Sequence, residues 1–142
     1  MIKIFENSVT SHKEFELINI TDEVKNSVES SGITNGIVVV ISRHTTAGIT
    51  TNEALPCVEK DIELKLEQIV PANNPYVHTH MLVTYGTCSG NAPGHLKQMI
   101  VGNHCVYPVI GGKISLGSEQ KIYFAEFDGL QIRKYVIEVI GE

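Results

Sequence analysis

The sequence predicts a single α+β domain with a mostly antiparallel, β-sandwich-like core and two to three helices. Two observations carry this expectation. Short runs rich in β-branched and aromatic residues fill the last third of the chain, separated by turn-forming dipeptides, while two earlier stretches place apolar side chains at helical spacing. With 142 residues, no internal repeat and no low-complexity segment, one domain accounts for the whole length.

Residues 1–5 and 15–20 alternate apolar with polar side chains and read as strands with solvated outer faces. Thr21 is placed to cap a short helix in which Asp22 and Glu23 favour the first turn, Val24 and Val28 share a face and Gly32 is the stop. Residues 36–41 are β-branched and too few for a helix, so they read as a buried strand, and Ala47, Ile49 and Thr51 extend the period of two beyond it. Pro56 suits a first helical position. Val58, Ile62, Leu66 and Ile69 then recur at helical spacing up to Pro71, opposite a solvated face of Glu59, Lys60, Asp61, Glu63, Lys65 and Glu67.

Residues 71–91 are rich in turn formers and lack periodicity, as long functional loops do. A short helix is expected from Asn91 or Ala92, with Pro93 in its first turn, Leu96, Met99 and Ile100 on its apolar face, and Gly102 at its end. Strands follow at 104–110, 113–116, 121–127 and 132–140. Gly111-Gly112 and Asp128-Gly129 between them read as tight turns whose residues tolerate positive φ.

Composition narrows the function classes. The net charge of -5 has the wrong sign for general attraction to nucleic acid or an anionic membrane, so an anionic ligand would have to be held locally. No segment approaches the ~20 apolar residues that span a bilayer and the first residues lack a signal-peptide core, which gives the expectation of a soluble, cytoplasmic protein. Cys57, Cys88 and Cys105 are odd in number and lack CxxC spacing, so they read as reduced thiols rather than a disulfide or zinc framework.

The chemistry concentrates after the strand at 36–41. Ser42-Arg43-His44-Thr45-Thr46-Ala47-Gly48-Ile49-Thr50-Thr51-Asn52-Glu53 packs an imidazole, four threonine hydroxyls, a carboxamide and a carboxylate into a dozen residues. A plain core strand would not tolerate that density unless each group found a partner.

These residues belong to a longer pattern. His44-Thr45-Thr46-Ala47, Asn52-Glu53, Tyr76-x-His78, Asn91-x-x-x-His95-Leu96-Lys97, Leu116-Gly117-x-x-Gln120 and Phe124-x-Glu126-Phe127-Asp128-Gly129, in that order, resemble the YjbQ or UPF0047 family. The match runs from the His44 strand to the C-terminus. The resemblance implies an α+β fold of β-sandwich character, a homotrimer, and a low-level thiamine-phosphate synthase activity. The chain departs from the family pattern at Gly117-Ser118-Glu119-Gln120, where Gly-Thr-Trp-Gln is usual, and at Asp128-Gly129-Leu130-Gln131, where Asp-Gly-Pro-Arg is frequent. The missing indole removes a flat stacking surface, and Glu119 would repel a phosphate if it pointed inward.

Within that resemblance, His44, His78 and His95 are the expected ligands of a divalent metal, zinc in particular, since three protein ligands and an open position make the usual catalytic site. His80 is the alternative to His78, because His78-x-His80 puts both on one face if the segment is extended. Glu126 lies in an apolar strand. Burial would raise its pKa and suit it to proton transfer, while the plainer reading is an outward carboxylate at the strand's end. Lys97 reads either as a solvated helix charge or as a cation for an anionic substrate, and His44 joins Glu126 and Lys97 as a catalytic candidate. Thr45, Thr46 and Asn91 would supply further anion contacts, the last at a helix N-terminus. Asn52 and Gln120, both inside the matched motifs, complete the expected substrate contacts.

The expected function is therefore a small, metal-assisted enzyme acting on a phosphorylated small molecule. A non-enzymic trimer that binds a metabolite or metal, and a metal-dependent phosphoester hydrolase, are the alternatives. No P-loop or dinucleotide fingerprint occurs, so no nucleotide cofactor is implied.

Overall fold

The computed structural model describes residues 1–80 and 90–142, apart from the side chains of Thr79 and His80. Among the described residues, eight strands and four helices follow one another as β1 (Ile2–Thr10), β2 (Glu16–Asn19), α1 (Thr21–Ser31), β3 (Asn35–Ser42), β4 (Ala47–Asn52), α2 (Pro56–Ile69), α3 (Val77–His80), α4 (Ala92–Val101), β5 (His104–Ile110), β6 (Lys113–Ile114), β7 (Lys121–Glu126) and β8 (Ile132–Gly141). The strands form a five-stranded sheet, β1-β8-β3-β5-β6, and a three-stranded sheet, β2-β7-β4, in which every pairing is antiparallel. Together they curl over one core as a half-barrel, so the α+β, antiparallel expectation holds.

The core lies between the sheets. Val38, Val40, Tyr135, Ile137 and Val139 of the large sheet meet Ile49, Ile122 and Phe124 of the small one, and α1 adds Val24 and Val28 at their i, i+4 spacing. β7 is buried on both faces, because Ala125 and Phe127 pack away from this core against Leu66 of α2. Among the described residues no helix is long and apolar enough to cross a membrane.

Several local expectations change. Thr21 is the first helical residue rather than the cap; its hydroxyl accepts the Ile122 amide at 2.9 Å and so ties α1 to β7. In α2 only Leu66 of the expected stripe is buried, and Ile69 is 57% exposed, because Val70 lies closer to the Leu66 direction after one turn and takes the inward place. In α4 the buried residues are Ala92, Gly94 and Lys97, while Met99 is 70% exposed. Part of the expected loop is helical, at α3.

The two glycine turns also differ. Gly111 and Gly112 have φ of 61° and 80° and close the β5–β6 hairpin as expected. Asp128-Gly129 is no hairpin turn, since β7 and β8 belong to different sheets, and Gly129 has no positive φ. Glycine is needed there for space: a Cβ would fall 1.9 Å from the Lys13 carbonyl oxygen.

Gly48 plays a comparable part where β4 passes the end of α4. A Cβ at that position would sit 2.1 Å from the Gly102 carbonyl oxygen, which accepts the Ile49 amide at 3.2 Å. Both contacting atoms are backbone, so neither can swing aside. Gly48→Ala is expected to destabilise the fold by about 2–3 kcal/mol, read as a lowered urea midpoint at unchanged slope. An unshifted midpoint would mean that the β4–α4 approach relaxes freely.

Candidate functional site

Strand parity places Glu126 on the face of β7 shared by Ile122 and Phe124, which points toward the large sheet. Arg133 has the parity of Tyr135, Ile137 and Val139 on β8 and points back. The two side chains meet between the sheets, Glu126 fully buried and Arg133 3% exposed. Arg133 donates from Nε to Glu126 Oε1 at 2.8 Å and from Nη2 to Oε2 at 2.6 Å. Ser11 Oγ donates to Oε1 at 2.8 Å and the Asp128 amide to Oε2 at 3.0 Å. Arg133 Nη2 also donates to Thr46 Oγ1 at 2.7 Å.

This pairing corrects the expected titration of Glu126. Burial pushes its carboxyl upward, but hydrogen bonds from Arg133, Ser11 and the Asp128 amide, with the guanidinium charge, outweigh burial and hold it below its ordinary value. A carboxylate so engaged fits an anchor rather than a proton acceptor. The Thr46 hydroxyl is likewise committed, to Arg133, whereas Thr45 is exposed.

His44 leaves the end of β3 and turns to β8, where its Nε2 accepts the Lys134 amide at 2.8 Å. That nitrogen's lone pair is occupied, so Nδ1 carries the proton in the neutral ring. Burial first, then the charges of Arg133, Arg43 and Lys134, hold its pKa below the ordinary value. Lys97 is 8% exposed and donates to Glu67 Oε2 at 2.8 Å, bridging α4 to α2. The Lys97 hydrogen bond is the main cause that lowers the Glu67 carboxyl. Cys105 is inert in this setting, its thiol pushed up by burial to about 11.

His78 and His95 do come together. The first is carried by α3 and the second by the opening turn of α4, with ring centroids 5.2 Å apart and planes at 83°. His78 Nε2 lies 2.8 Å from Asn91 Oδ1, and Asn91 Nδ2 donates to Asp128 Oδ2 at 3.0 Å. Close packing at Gly94 makes this possible, since a Cβ there would be 3.1 Å from the Phe127 carbonyl oxygen and 3.4 Å from Thr46 and Asp128 side-chain atoms. The pair faces a cavity of about 480 Å³ walled by Tyr76, Val77, Ala92 and Leu96. Lys97 opens instead on a second cavity, of about 430 Å³, with Phe15, Glu67, Pro93 and Phe127.

The expected set thus divides. His78, His95 and Asn91 form one cluster; Glu126 and Thr46 anchor it through Asp128 and Gly94. His44, just past the end of β3, lies apart from this cluster against β8. Asn52 and Gln120 sit at the other end of the small sheet, where Asn52 pairs with Lys121 while Ala47 pairs with Glu126, five residues or about 17 Å away along the strand. Gln120 there accepts the Gly117 amide at 2.8 Å and holds a turn in which Glu119 is exposed. Among the described residues no three His, Cys, Asp or Glu side chains are grouped to hold a metal, so the three-histidine set does not fit a mononuclear site within one chain. The His80 alternative assumed an extended segment, whereas Val77–His80 is helical, and the His80 side chain lies outside what is described. Sequence reasoning missed Arg133 and Ser11 as partners, and placed Asp128 in a turn and a family motif without giving it a role in the site. Arg133 alone carried a signal, a charge on the buried register of β8.

Comparison with known proteins agrees with this architecture. The family model described as UPF0047 protein YjbQ-like matches residues 6–142. A UPF0047 protein of Methanothermobacter thermautotrophicus is 39% identical over 137 residues, covering 96% of this chain and 91% of its own. UPF0047 protein YugU of Bacillus subtilis is 37% identical over 142 residues, covering 99% and 100%. The crystal structure of a YbjQ-like protein of unknown function from Sulfolobus solfataricus P2 superposes with a TM-score of 0.93 at 32% identity, over 100% of this chain and 99% of that one.

The buried pair makes a stability prediction. Glu126 titrates below its ordinary value of 4.5 when folded, so its stabilisation is complete above that pH and is lost as pH falls through the folded value. Glu126→Gln should cost about 3–5 kcal/mol at neutral pH because it leaves the Arg133 charge buried without a partner. The gap to the native chain should narrow in acid, as the native carboxyl protonates. Urea midpoints at neutral and acid pH measure this, and an equal gap at both would assign the loss to packing.

Proposed function

The chain belongs to the UPF0047, YjbQ-like family, and we propose that it is a small enzyme acting on a phosphorylated small molecule bound between α3 and α4. The convergence of His78 and His95 on one cavity carries this reading, because two adjacent imidazoles can accept and donate protons in the same turnover. The apolar wall of Tyr76, Val77 and Leu96 suits the organic part of a substrate. A phosphoryl group would meet the positive dipole end of the ten-residue α4 rather than a row of free amides, since Pro93 has no N–H and the Gly94 and His95 amides donate to the Asn91 carbonyl. Glu126, Lys97 and His44 take supporting roles in this proposal, since Arg133, Glu67 and the Lys134 amide engage them. Zinc, the cofactor expected from the histidines, does not fit the described residues here, since His78 and His95 supply only two ligands.

Thiamine-phosphate synthesis, the activity implied by the family resemblance, is the first assay, followed by a screen of phosphorylated metabolites with and without chelator. His78→Ala and His95→Ala are each expected to lower kcat by ~10²-fold or more while leaving the urea midpoint near its original value. Full kcat in both variants would remove the imidazoles from the reaction. Release of inorganic phosphate identifies a hydrolase, and ligand binding with no turnover identifies a non-enzymic binder.

A homotrimer is part of the same proposal, and the outer face of the large sheet supports it. Ile2, Ile140, Ile37 and Pro108 lie in register across β1, β8, β3 and β5 on the side away from the core, and the three isoleucines are all exposed in one chain. Sedimentation equilibrium should give three times the chain mass of 15.6 kDa. Ile37→Glu should shift the distribution toward monomer. A native chain that sediments as a monomer at micromolar concentration rejects the assembly.

A further inference from the structure

We propose that Asp128 and Asn91 form a relay that sets the tautomer of His78, placing its proton on Nε2 and its lone pair on Nδ1. The inference rests on the reading of His78 as a working group of the site, but its argument is geometric. Asn91 stands between the other two, Nδ2 at 3.0 Å from Asp128 Oδ2 and Oδ1 at 2.8 Å from His78 Nε2. A carboxylate offers only acceptors, so the Asn91 amide must turn its NH2 toward Asp128. Its carbonyl oxygen then faces His78. That oxygen is also an acceptor only, so Nε2 must donate. A neutral imidazole has a single N–H, which leaves Nδ1 as the basic nitrogen.

The relay has a fixed origin. The Asp128 amide donates to Glu126 Oε2 at 3.0 Å, and Gln131 Nε2 donates to the Asp128 carbonyl at 2.7 Å and approaches Oδ2 at 3.4 Å. Glu126 is itself clamped by Arg133 and Ser11. Three hydrogen bonds therefore connect the buried ion pair to an imidazole on α3. Asp128 and Asn91 are positioning residues, acting on the reaction through His78. His44 provides a contrast within the same chain: the Lys134 amide donates to its Nε2, so its proton belongs on Nδ1. The two histidines are thus assigned opposite tautomers by opposite partners.

Tautomers are read directly from long-range proton–nitrogen correlation spectra of the full chain labelled with 15N-histidine. The spectra are taken at about pH 9, well above the ordinary imidazole pKa of ~6.5, with signals assigned through His78→Ala and His44→Ala. The native protein should show His78 protonated on Nε2 and His44 on Nδ1. Asp128→Asn supplies a donor as well as an acceptor and frees the Asn91 amide to reverse, so the Nδ1-protonated form of His78 should appear; Asp128→Glu, again acceptor-only, should restore the native tautomer. Asn91→Leu, which removes the link, should give a mixture. His44 should not change in any of these variants. A native His78 protonated on Nδ1 overturns the relay without any variant, and so does an unmoved tautomer in Asp128→Asn. If the tautomers are as stated while no substrate is turned over, the enzyme reading fails and the relay stands.

Discussion

The interaction on which the rest of the structure depends is the buried pair of Glu126 and Arg133. It joins the end of β7 in the small sheet to the start of β8 in the large one, with no hairpin to hold them. Removing two charges from water costs several kcal/mol per ion, and attraction offsets this only where the remaining hydrogen-bonding capacity is satisfied. Here it largely is: Glu126 receives two bonds from Arg133, one from Ser11 and one from the Asp128 amide, and Arg133 also reaches Thr46. An apolar pair of similar size would hold the sheets together at least as well. What it would lack is direction, because only the charged pair fixes where the residues after β1, before β4 and after β7 must stand.

That direction is what the candidate site uses. Thr46 and Asp128, both tied to the pair, form the floor on which α4 rests, and Ala92 and Gly94 let the helix approach within contact of backbone. A helix packed through small residues gains little apolar burial for its length, which is why Met99 and Ile100 remain exposed although their spacing suits a core stripe. The same close approach puts Asn91 within reach of Asp128 and His95 beside His78. Packing efficiency on one face of α4 is subordinate to the geometry at its first turn.

The fold was legible where local rules suffice. The β-branched run in β3, the i, i+4 valines of α1, Pro56 opening α2 and the Gly111-Gly112 turn each follow from a few neighbouring residues. Less was legible where the deciding partner is distant. Burial of Glu126 could be inferred from its strand, but the direction of its pKa shift depends on Arg133 and Ser11, and Ser11 is separated from it by 115 positions. His44, Lys97, Asn52 and Gln120 stand in motifs that match a family, yet a motif order does not state which side chains are already engaged. A backbone amide occupies His44, a helix-to-helix ion pair occupies Lys97, and the length of β4 separates Asn52 from Glu126.

The pairing of charges also bears on what chemistry the cavity can host. Lys97 with Glu67 and Arg133 with Glu126 remove the obvious cation and the obvious carboxylate from service, and the Tyr76 hydroxyl donates to the Pro71 carbonyl. Among the described residues that line the cavity, His78 and His95 are then the side chains able both to take and to give a proton. No Lys or Arg stands among the described residues that line the cavity and the overall charge of -5 adds no net positive field, so the anion site we propose would rely on neutral hydrogen-bonding groups and the α4 dipole. Its selectivity would come from shape and from the orientation of two imidazoles, and the second of these is governed by the hydrogen bonds that reach His78 from the ion pair between the sheets.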